Sequence, residues 1–329
     1  MVHGVNITEY TKHACISAVV DSALEAAQRA STTLDSPPAF ASLEQALEAD
    51  LLDAVVITTP TFTHRDLAVQ AAKAGKHVFC EKPMALDPQQ CREMIAATEE
   101  AGVILQIGFM RRFQPEFAEA KRRVIAGDIG QPMVVKSLTR GPGLPPKWAW
   151  DITVSNGMLA EVNSHDFDCV RWLVGSNIQR VYAEVANVKG PSRGVDVADF
   201  YDNAVVALRF DSGAVGTIDG TCPADYGYDA RVELLGSEGL IVIGDVRGQA
   251  ILQIKDRDTG VVTPVHKTWP ERFAEGYRAE MRSFVRSVLD GEKPDAGGED
   301  GFYALCAVVA ANRSWKEGRP VLVEEVTSA

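Results

Sequence analysis

Four short apolar runs in the first third of the chain, separated by helix-forming stretches, leave few folds open. ISAVVD (16–21) leads into SALEAAQRAS (22–31) and SLEQALEAD (42–50), the second opened by a serine suited to an N-cap. DAVVITTP (53–60) is β-branched and stopped by proline, and HRDLAVQAAKAGK follows with Gly75 placed to end a helix in a left-handed cap. HVFCEKP (77–83) and VILQIGF (103–109) flank the helical DPQQCREMIAATEEAG. The runs are apolar throughout rather than alternating, which marks strands buried on both faces of a parallel sheet. Right-handed crossovers make that sheet doubly wound, with ligands beyond the carboxyl ends of its strands. Asp21, Thr58–Pro60, Glu81–Pro83 and Phe109–Arg112 are therefore expected along one crevice.

Beyond about residue 115 the texture changes. A helix (116–126) leads into PMVVKSL, then a Gly/Pro/Trp-rich loop, RGPGLPPKWAWD (140–151). GMLAEVNSHDFDCVRWLVG (157–175) reads as one helix. The runs VYAEVANV, NAVVALRF, AVGTIDGT, ARVELLG, GLIVIG and AILQIK read as strands, several alternating and separated by turns such as DSG (211–213) and GSEG (236–239). This is a large, mostly antiparallel open sheet, followed by a helix pair (about 272–290 and 299–317). The expected division is 1–114 for a nucleotide-binding domain and 115–329 for a substrate-binding and oligomerisation domain.

A length of 329 residues suits two domains. A net charge of −12 argues against nucleic acid or an anionic membrane as partner, since both require basic patches. The six cysteines form no CxxC pair, so buried free thiols in a reducing, cytoplasmic compartment are expected rather than disulfides or structural zinc. No apolar run reaches the roughly 18 residues of a membrane span, and no secretory pattern opens the chain.

Three groups of residues carry chemistry. Lys82 lies at the carboxyl end of a strand, either as a solvated charge or aimed at a ligand in the crevice; position favours the second. Glu161 and His165 are four apart and, on one helix, would share a face. They form either a local helix-stabilising pair or a histidine general base oriented by a carboxylate, with Asp168 near the same face. A metal site from Glu161, His165 and Asp168 lacks a second histidine or cysteine at ligand spacing, and no metal is expected. Asp21, ending the second strand, can accept hydrogen bonds from both adenosine ribose hydroxyls and repels a 2′-phosphate, so NAD is expected over NADP.

With these residues assembled, the chain resembles the glucose–fructose oxidoreductase/inositol dehydrogenase (Gfo/Idh/MocA) family over nearly its whole length. AVVITTPTFTHRDLAVQAAKAGKHVFCEKPMA resembles that family's strand–loop–helix–EKP segment. GFMRRFQPEF, GMLAEVNSHDFDCVRWLVG and YGYDARVELLGSEG also match, the last two in the manner of inositol 2-dehydrogenases. The resemblance implies a Rossmann-type domain, a C-terminal α/β domain whose open sheet serves substrate and self-association, and often a tetramer. It implies hydride transfer between a nicotinamide cofactor and a secondary alcohol of a cyclic polyol or sugar. Lys82 matches the catalytic lysine and His165 the catalytic histidine. Glu161 stands where many members carry an aspartate, one methylene shorter. Asp21, Thr59, Pro60, Thr61, His64, Glu81, Lys82 and Met110 match the cofactor side. Arg111, Trp148 and Tyr226 or Tyr228 match or are expected on the substrate side.

The family pattern opens with a strand, then G-x-G-x-x-G, then a helix carrying the histidine that here is His3. VHGVNITEYTKH matches that helix, and nothing ahead of it matches the strand or loop; GEDG and GSEG lie far downstream. A missing central strand leaves two neighbours with unpaired backbone. It also removes roughly three to five buried aliphatic side chains at about 1.5–3 kcal/mol each, against a typical domain stability of about 5–15 kcal/mol. The glycine loop also supplies the amides that hold a pyrophosphate. Two expectations stand: Met1 is an internal methionine of a longer protein, or the short form is real and binds nucleotide weakly or not at all. The second opens a different class of function, a non-catalytic sugar-sensing or regulatory protein, or an inactive truncated form.

Overall fold

The computed structural model describes residues 1–244 and 266–327. The run AILQIK, expected as a strand, lies outside the described residues. The chain forms two compact units, Met1–Gln114 with Glu275–Phe302, and Pro115–Ala274 with Tyr303–Ala329. Where the sequence suggested a single cut at 114/115, the chain crosses between the units three times.

In the first unit strands and helices alternate: α1 (Val2–Tyr10), β1 (Val19–Val20), α2 (Leu24–Thr33), β2 (Ala39–Phe40), α3 (Leu43–Glu48), β3 (Ala54–Ile57), α4 (His64–Lys73), β4 (His77–Cys80), α5 (Pro88–Ala101) and β5 (Leu105–Ile107). The ladders β1–β2, β3–β4 and β4–β5 are parallel, and Gln106 of β5 also bridges Gly297 antiparallel. The helix ends follow local chemistry. Ser42 caps α3 by accepting from the Gln45 N–H, Asp87 caps α5 by accepting from the Gln90 N–H, and Gly75 (φ +71°) and Gly102 (φ +66°) turn left-handed after α4 and α5. The strands differ from one doubly wound sheet in one respect: they form two ladders, β2-β1 and β3-β4-β5. The helix Ala274–Asp290 belongs to this unit, where Met281 and Phe284 pack on Ile7 and Phe79.

The second unit contains α6 (Pro115–Ala126), β6 (Pro132–Arg140), α7 (Ile152–Ser155), α8 (Gly157–Glu161), α9 (Ser164–Val174), β7 (Ile178–Ala186), β8 (Asn203–Phe210), β9 (Val215–Thr221), β10 (Asp229–Gly236), β11 (Leu240–Ile243) and β12 (Val321–Leu322). The sheet order is β11-β10-β6-β9-β8-β7-β12, antiparallel except for the β6–β9 pair. Alternation sorts its faces: Ala204, Val206, Leu208 and Phe210 of β8 are buried, whereas Val205 on the other face is exposed. The helix α9 lies against β6.

Residues 157–175 are not one helix. α8 ends at Glu161 and α9 begins at Ser164, so Glu161 and His165 do not share a helical face as their spacing suggested. At the break the N–H groups of Val162 and Asn163 both donate to the Met158 carbonyl, and the Asn163 side-chain amide donates to Asp166 at 2.8 Å. A second correction concerns the thiols: five cysteines are buried, but Cys15 is exposed.

Asn163 keeps its place because Gly220 on β9 has no side chain: a Cβ there would lie 2.1 Å from Asn163 Oδ1. Gly220→Ala is therefore expected to displace Asn163 from Asp166 and cost about 1–3 kcal/mol. A lowered urea midpoint with unchanged slope is the expected readout, and an unchanged midpoint would refute the crowding argument.

Candidate active site

In the first unit the carboxyl ends of β3, β4 and β5 point one way, which brings Thr58–Thr59, Glu81–Lys82 and Phe109–Met110 to one end of the ladder. Asp21 follows β1, is exposed, and accepts a hydrogen bond from the Ala23 N–H through Oδ1 at 2.8 Å. A solvent-facing carboxylate at this position fits the ribose of NAD, the cofactor its residue type suggests.

Glu81, expected on the cofactor side, is held by two neighbours within the protein. Its carboxylate sits between the ring of His3 (Nε2 at 2.6 Å) and the backbone N–H of Lys82 (3.0 Å). Burial pushes this carboxyl up, but the hydrogen bond and charge of His3, with the charge and amide of Lys82, outweigh it and hold the group below the usual carboxylate range. His3 is itself fixed, its ring 5.0 Å from that of Phe79 and 5.6 Å from that of Tyr277. Gly108 leaves room for Glu81, since a Cβ there would lie 2.9 Å from Oε2. The strand-end lysine thus stands on an anchored carboxylate.

The loop after β3 also divides. Thr59 is exposed and Pro60 half-buried, whereas Thr61 and His64 are buried. His64 joins two loops, with Nε2 at 2.8 Å from the Thr59 carbonyl oxygen and Nδ1 at 2.9 Å from that of Pro83. Met110 and Arg111 are almost wholly buried in a 3-10 turn, and the neighbouring Arg112 pairs with Asp300 at 2.9 Å.

In the second unit His165 is buried on α9, and the adjacent Asp166 accepts from Ser137 Oγ (2.5 Å), Thr139 Oγ1 (2.7 Å) and Asn163 Nδ2 (2.8 Å). These bonds clamp the first turn of α9 onto β6. Asp168, three residues beyond His165, is also buried. Trp148 is half-buried in the 3-10 turn Lys147–Trp150. The two tyrosines separate clearly. Tyr228 is buried, edge-on to Phe273 at 6.0 Å, whereas Tyr226 is 45 % exposed. The Tyr226 hydroxyl donates to Asp229 at 2.8 Å; burial of the phenol and then the Asp229 carboxylate push its pKa up to about 12.

Residues 2–109 match the oxidoreductase family's NAD-binding Rossmann fold, and residues 121–323 match its C-terminal alpha/beta domain. The chain belongs to the Gfo/Idh/MocA oxidoreductase family. This member is 38% identical over 288 residues to the myo-inositol 2-dehydrogenase of Thermotoga maritima, covering 88% of this chain and 85% of that one. It is 38% identical to the scyllo-inositol 2-dehydrogenase (NAD(+)) of Bacillus subtilis, over 85% of this chain and 80% of that one. Its fold is similar to the crystal structure of scyllo-inositol dehydrogenase from Lactobacillus casei with bound NAD(H) and scyllo-inositol, with a TM-score of 0.87, 25% identity, and coverage of 98% and 95%.

Two supporting groups in this Gfo/Idh/MocA protein escape a reading by motif. The polar residues around Asp166 carried one signal: Ser137 and Thr139 fall on the core-facing period of β6 with Val135, and buried hydroxyls require a partner. His3 was identified by its place in the pattern, but its bond to Glu81 joins residues 78 apart and no local spacing announces it.

Burial lowers the His64 pKa from its ordinary value, ahead of the opposing effects of the two carbonyls and Glu81. The folded state then binds the proton less readily than the unfolded chain. Stability from this group is present above the unfolded value of about 6.5 and is lost as pH falls through the lower folded value. Urea midpoints measured between pH 7.5 and about 5 are expected to fall less steeply in His64→Gln than in the parent. Equal slopes would remove His64 from the acid response.

Proposed function

We propose that this protein is an NAD-dependent inositol dehydrogenase-type oxidoreductase, oxidising a secondary alcohol of a cyclic polyol. The observation that carries the reading is the 38% identity, over 88% of the chain, to a myo-inositol 2-dehydrogenase. The presence of both Lys82 and His165 at the family's reactive positions supports it. Asp21 favours NAD, because its carboxylate accepts from ribose hydroxyls and repels a 2′-phosphate. Thr59 and Pro60 flank the same cofactor. Bound NAD supplies the hydride acceptor at nicotinamide C4.

The chain's own residues manage the proton and the substrate. His165 takes the hydroxyl proton as the carbon gives up its hydride, and the product is a ketone. Lys82 donates a hydrogen bond to the same oxygen and stabilises its developing negative charge. The clamp on Asp166 holds the helix that carries His165, and Glu81 holds the backbone at Lys82. Met110 is assigned to the nicotinamide side, and Arg111, Trp148 and Tyr226 to the polyol; Tyr228, being core, is the weaker of the two tyrosine candidates. Glu161 is retained as a group orienting His165 from the preceding helix.

The protein is expected to reduce NAD with myo-inositol or scyllo-inositol, followed by the absorbance of the reduced nicotinamide. Lys82→Ala and His165→Ala should each lower kcat by at least about a hundredfold. Turnover near the parent's in either variant would remove that residue from the mechanism.

Self-association is assigned to the outer face of the large sheet, where Val205, Leu240 and Val242 are 56%, 54% and 52% exposed. Exposed apolar side chains on an open sheet face, here at its β8 and β11 strands, suit an interaction surface. Light scattering should give four times the 35.6 kDa monomer mass. Val205→Lys should reduce that mass, and a monomeric parent protein would refute the assignment.

A further inference from the structure

In the second unit α7 and α8 are joined by Asn156 alone, left-handed at φ +61°, and Gly157 follows at φ +69°. An N-cap residue ordinarily has extended backbone and caps the helix with its own side chain. At left-handed Asn156 the first amides of α8 are met from elsewhere. The Gly157 N–H donates to Ser155 Oγ at 2.9 Å, and the Leu159 N–H donates to the hydroxyl of Tyr201, 42 residues away, at 3.3 Å. That hydroxyl donates in turn to Asn312 Oδ1 at 2.8 Å, and Asn312 Nδ2 donates back to the Asn156 carbonyl at 2.9 Å. Burial pushes the Tyr201 phenol up, so the hydroxyl keeps the proton it donates.

Packing leaves this network little room. A Cβ on Gly157 would lie 3.0 Å from the Tyr201 hydroxyl oxygen and 3.2 Å from two of its ring carbons, so the backbone of the turn lies close against the phenol. The ring of Trp315 meets that of Tyr201 edge-on at 5.4 Å. Ser155, wholly buried, donates toward the carbonyls of Ala149 (2.9 Å) and Asp151 (2.8 Å), which ties the same turn to the 3-10 turn carrying Trp148. A five-residue helix is too short to hold its own conformation, so these external bonds set its place. Glu161 is its last residue, about 6 Å along the axis from Gly157, and His165 follows four residues later.

We propose that Tyr201 is a positioning residue for the dehydrogenase reaction: its hydroxyl, held by Asn312, caps α8 and so fixes Glu161 and the approach of the chain to His165. The inference rests on the proposed function and deepens it. A phenylalanine would fill the same space, so the hydroxyl is not needed for packing. Its two bonds go to α8 and to the residue that holds the turn before α8. Without the cap, α8 can rotate on its turn and carry Glu161 away from the histidine it orients. A general base held out of line slows proton transfer and leaves the cofactor residues, which lie in the first unit, as they were.

The test compares Tyr201→Phe with Val206→Ala, a core truncation on β8 outside the network, both in the full chain. Without NAD or polyol, Tyr201→Phe is expected to speed amide exchange at Leu159 at least about tenfold more than Val206→Ala does. With NAD and myo-inositol it is expected to lower kcat at least about tenfold and leave the KM for NAD within about twofold of the parent's. Val206→Ala lowers the urea midpoint through its cavity and keeps kcat within about twofold. Leu159 exchange at the parent's rate in Tyr201→Phe, kcat within about twofold of the parent's, or an equal loss of kcat in Val206→Ala would each overturn the proposal. The exchange measurement needs no turnover, so failure of the cap is distinguishable from failure of the dehydrogenase assignment.

Discussion

A carboxylate taken out of water must be given donors, and each unit places one such group beside the residue assigned to chemistry. Glu81 takes a hydrogen bond from the backbone of Lys82 and shares another with the ring of His3. Asp166 takes three from Ser137, Thr139 and Asn163. Removing one partner from a buried charged network costs more than an average hydrogen bond, because the group left behind stays desolvated. These networks therefore define where the Lys82 backbone and the first turn of α9 lie. Gly108 and Gly220 make the same point from the other side, for a side chain at either would occupy the space the network needs.

The strands of the first unit were legible because parallel strands buried on both faces are apolar throughout, and the carboxyl ends of DAVVITTP, HVFCEKP and VILQIGF located Thr58–Thr59, Glu81–Lys82 and Phe109–Met110. The alternating runs of the second unit were equally plain, since one face of that sheet is open. The break at Val162–Asn163 was not, because GMLAEVNSHDFDCVRWLVG keeps a helical period across it. Nor was the return of residues 275–302 to the first unit. An amphipathic helix records that it has a core to face, not which core.

Residue type separates site walls from their supports less well than burial does. Thr59, Pro60, Thr61 and His64 lie in one loop and read as one cofactor-facing group, yet the last two are buried. His64 reaches the carbonyls of Thr59 and Pro83 with its two ring nitrogens, and a neutral imidazole has one proton for both. It therefore couples the loop after β3 to the loop after β4 through a bond that changes with tautomer and protonation.

The split between the two ladders bears on cofactor binding through rigidity. Asp21, proposed for the adenosine end, follows β1, and Thr59, proposed further along the cofactor, follows β3. In one continuous sheet a shared neighbour would set the spacing of those two positions by backbone hydrogen bonds, which tolerate little displacement. Between the two ladders the spacing is set by packing of apolar helix side chains, such as Ile7, Met281 and Phe284, which tolerates more. A dinucleotide gripped at both ends loses affinity when its two grips can drift, because binding must then also order the protein. Nucleotide affinity is thus tied to one geometric quantity, the separation of β1 from β3.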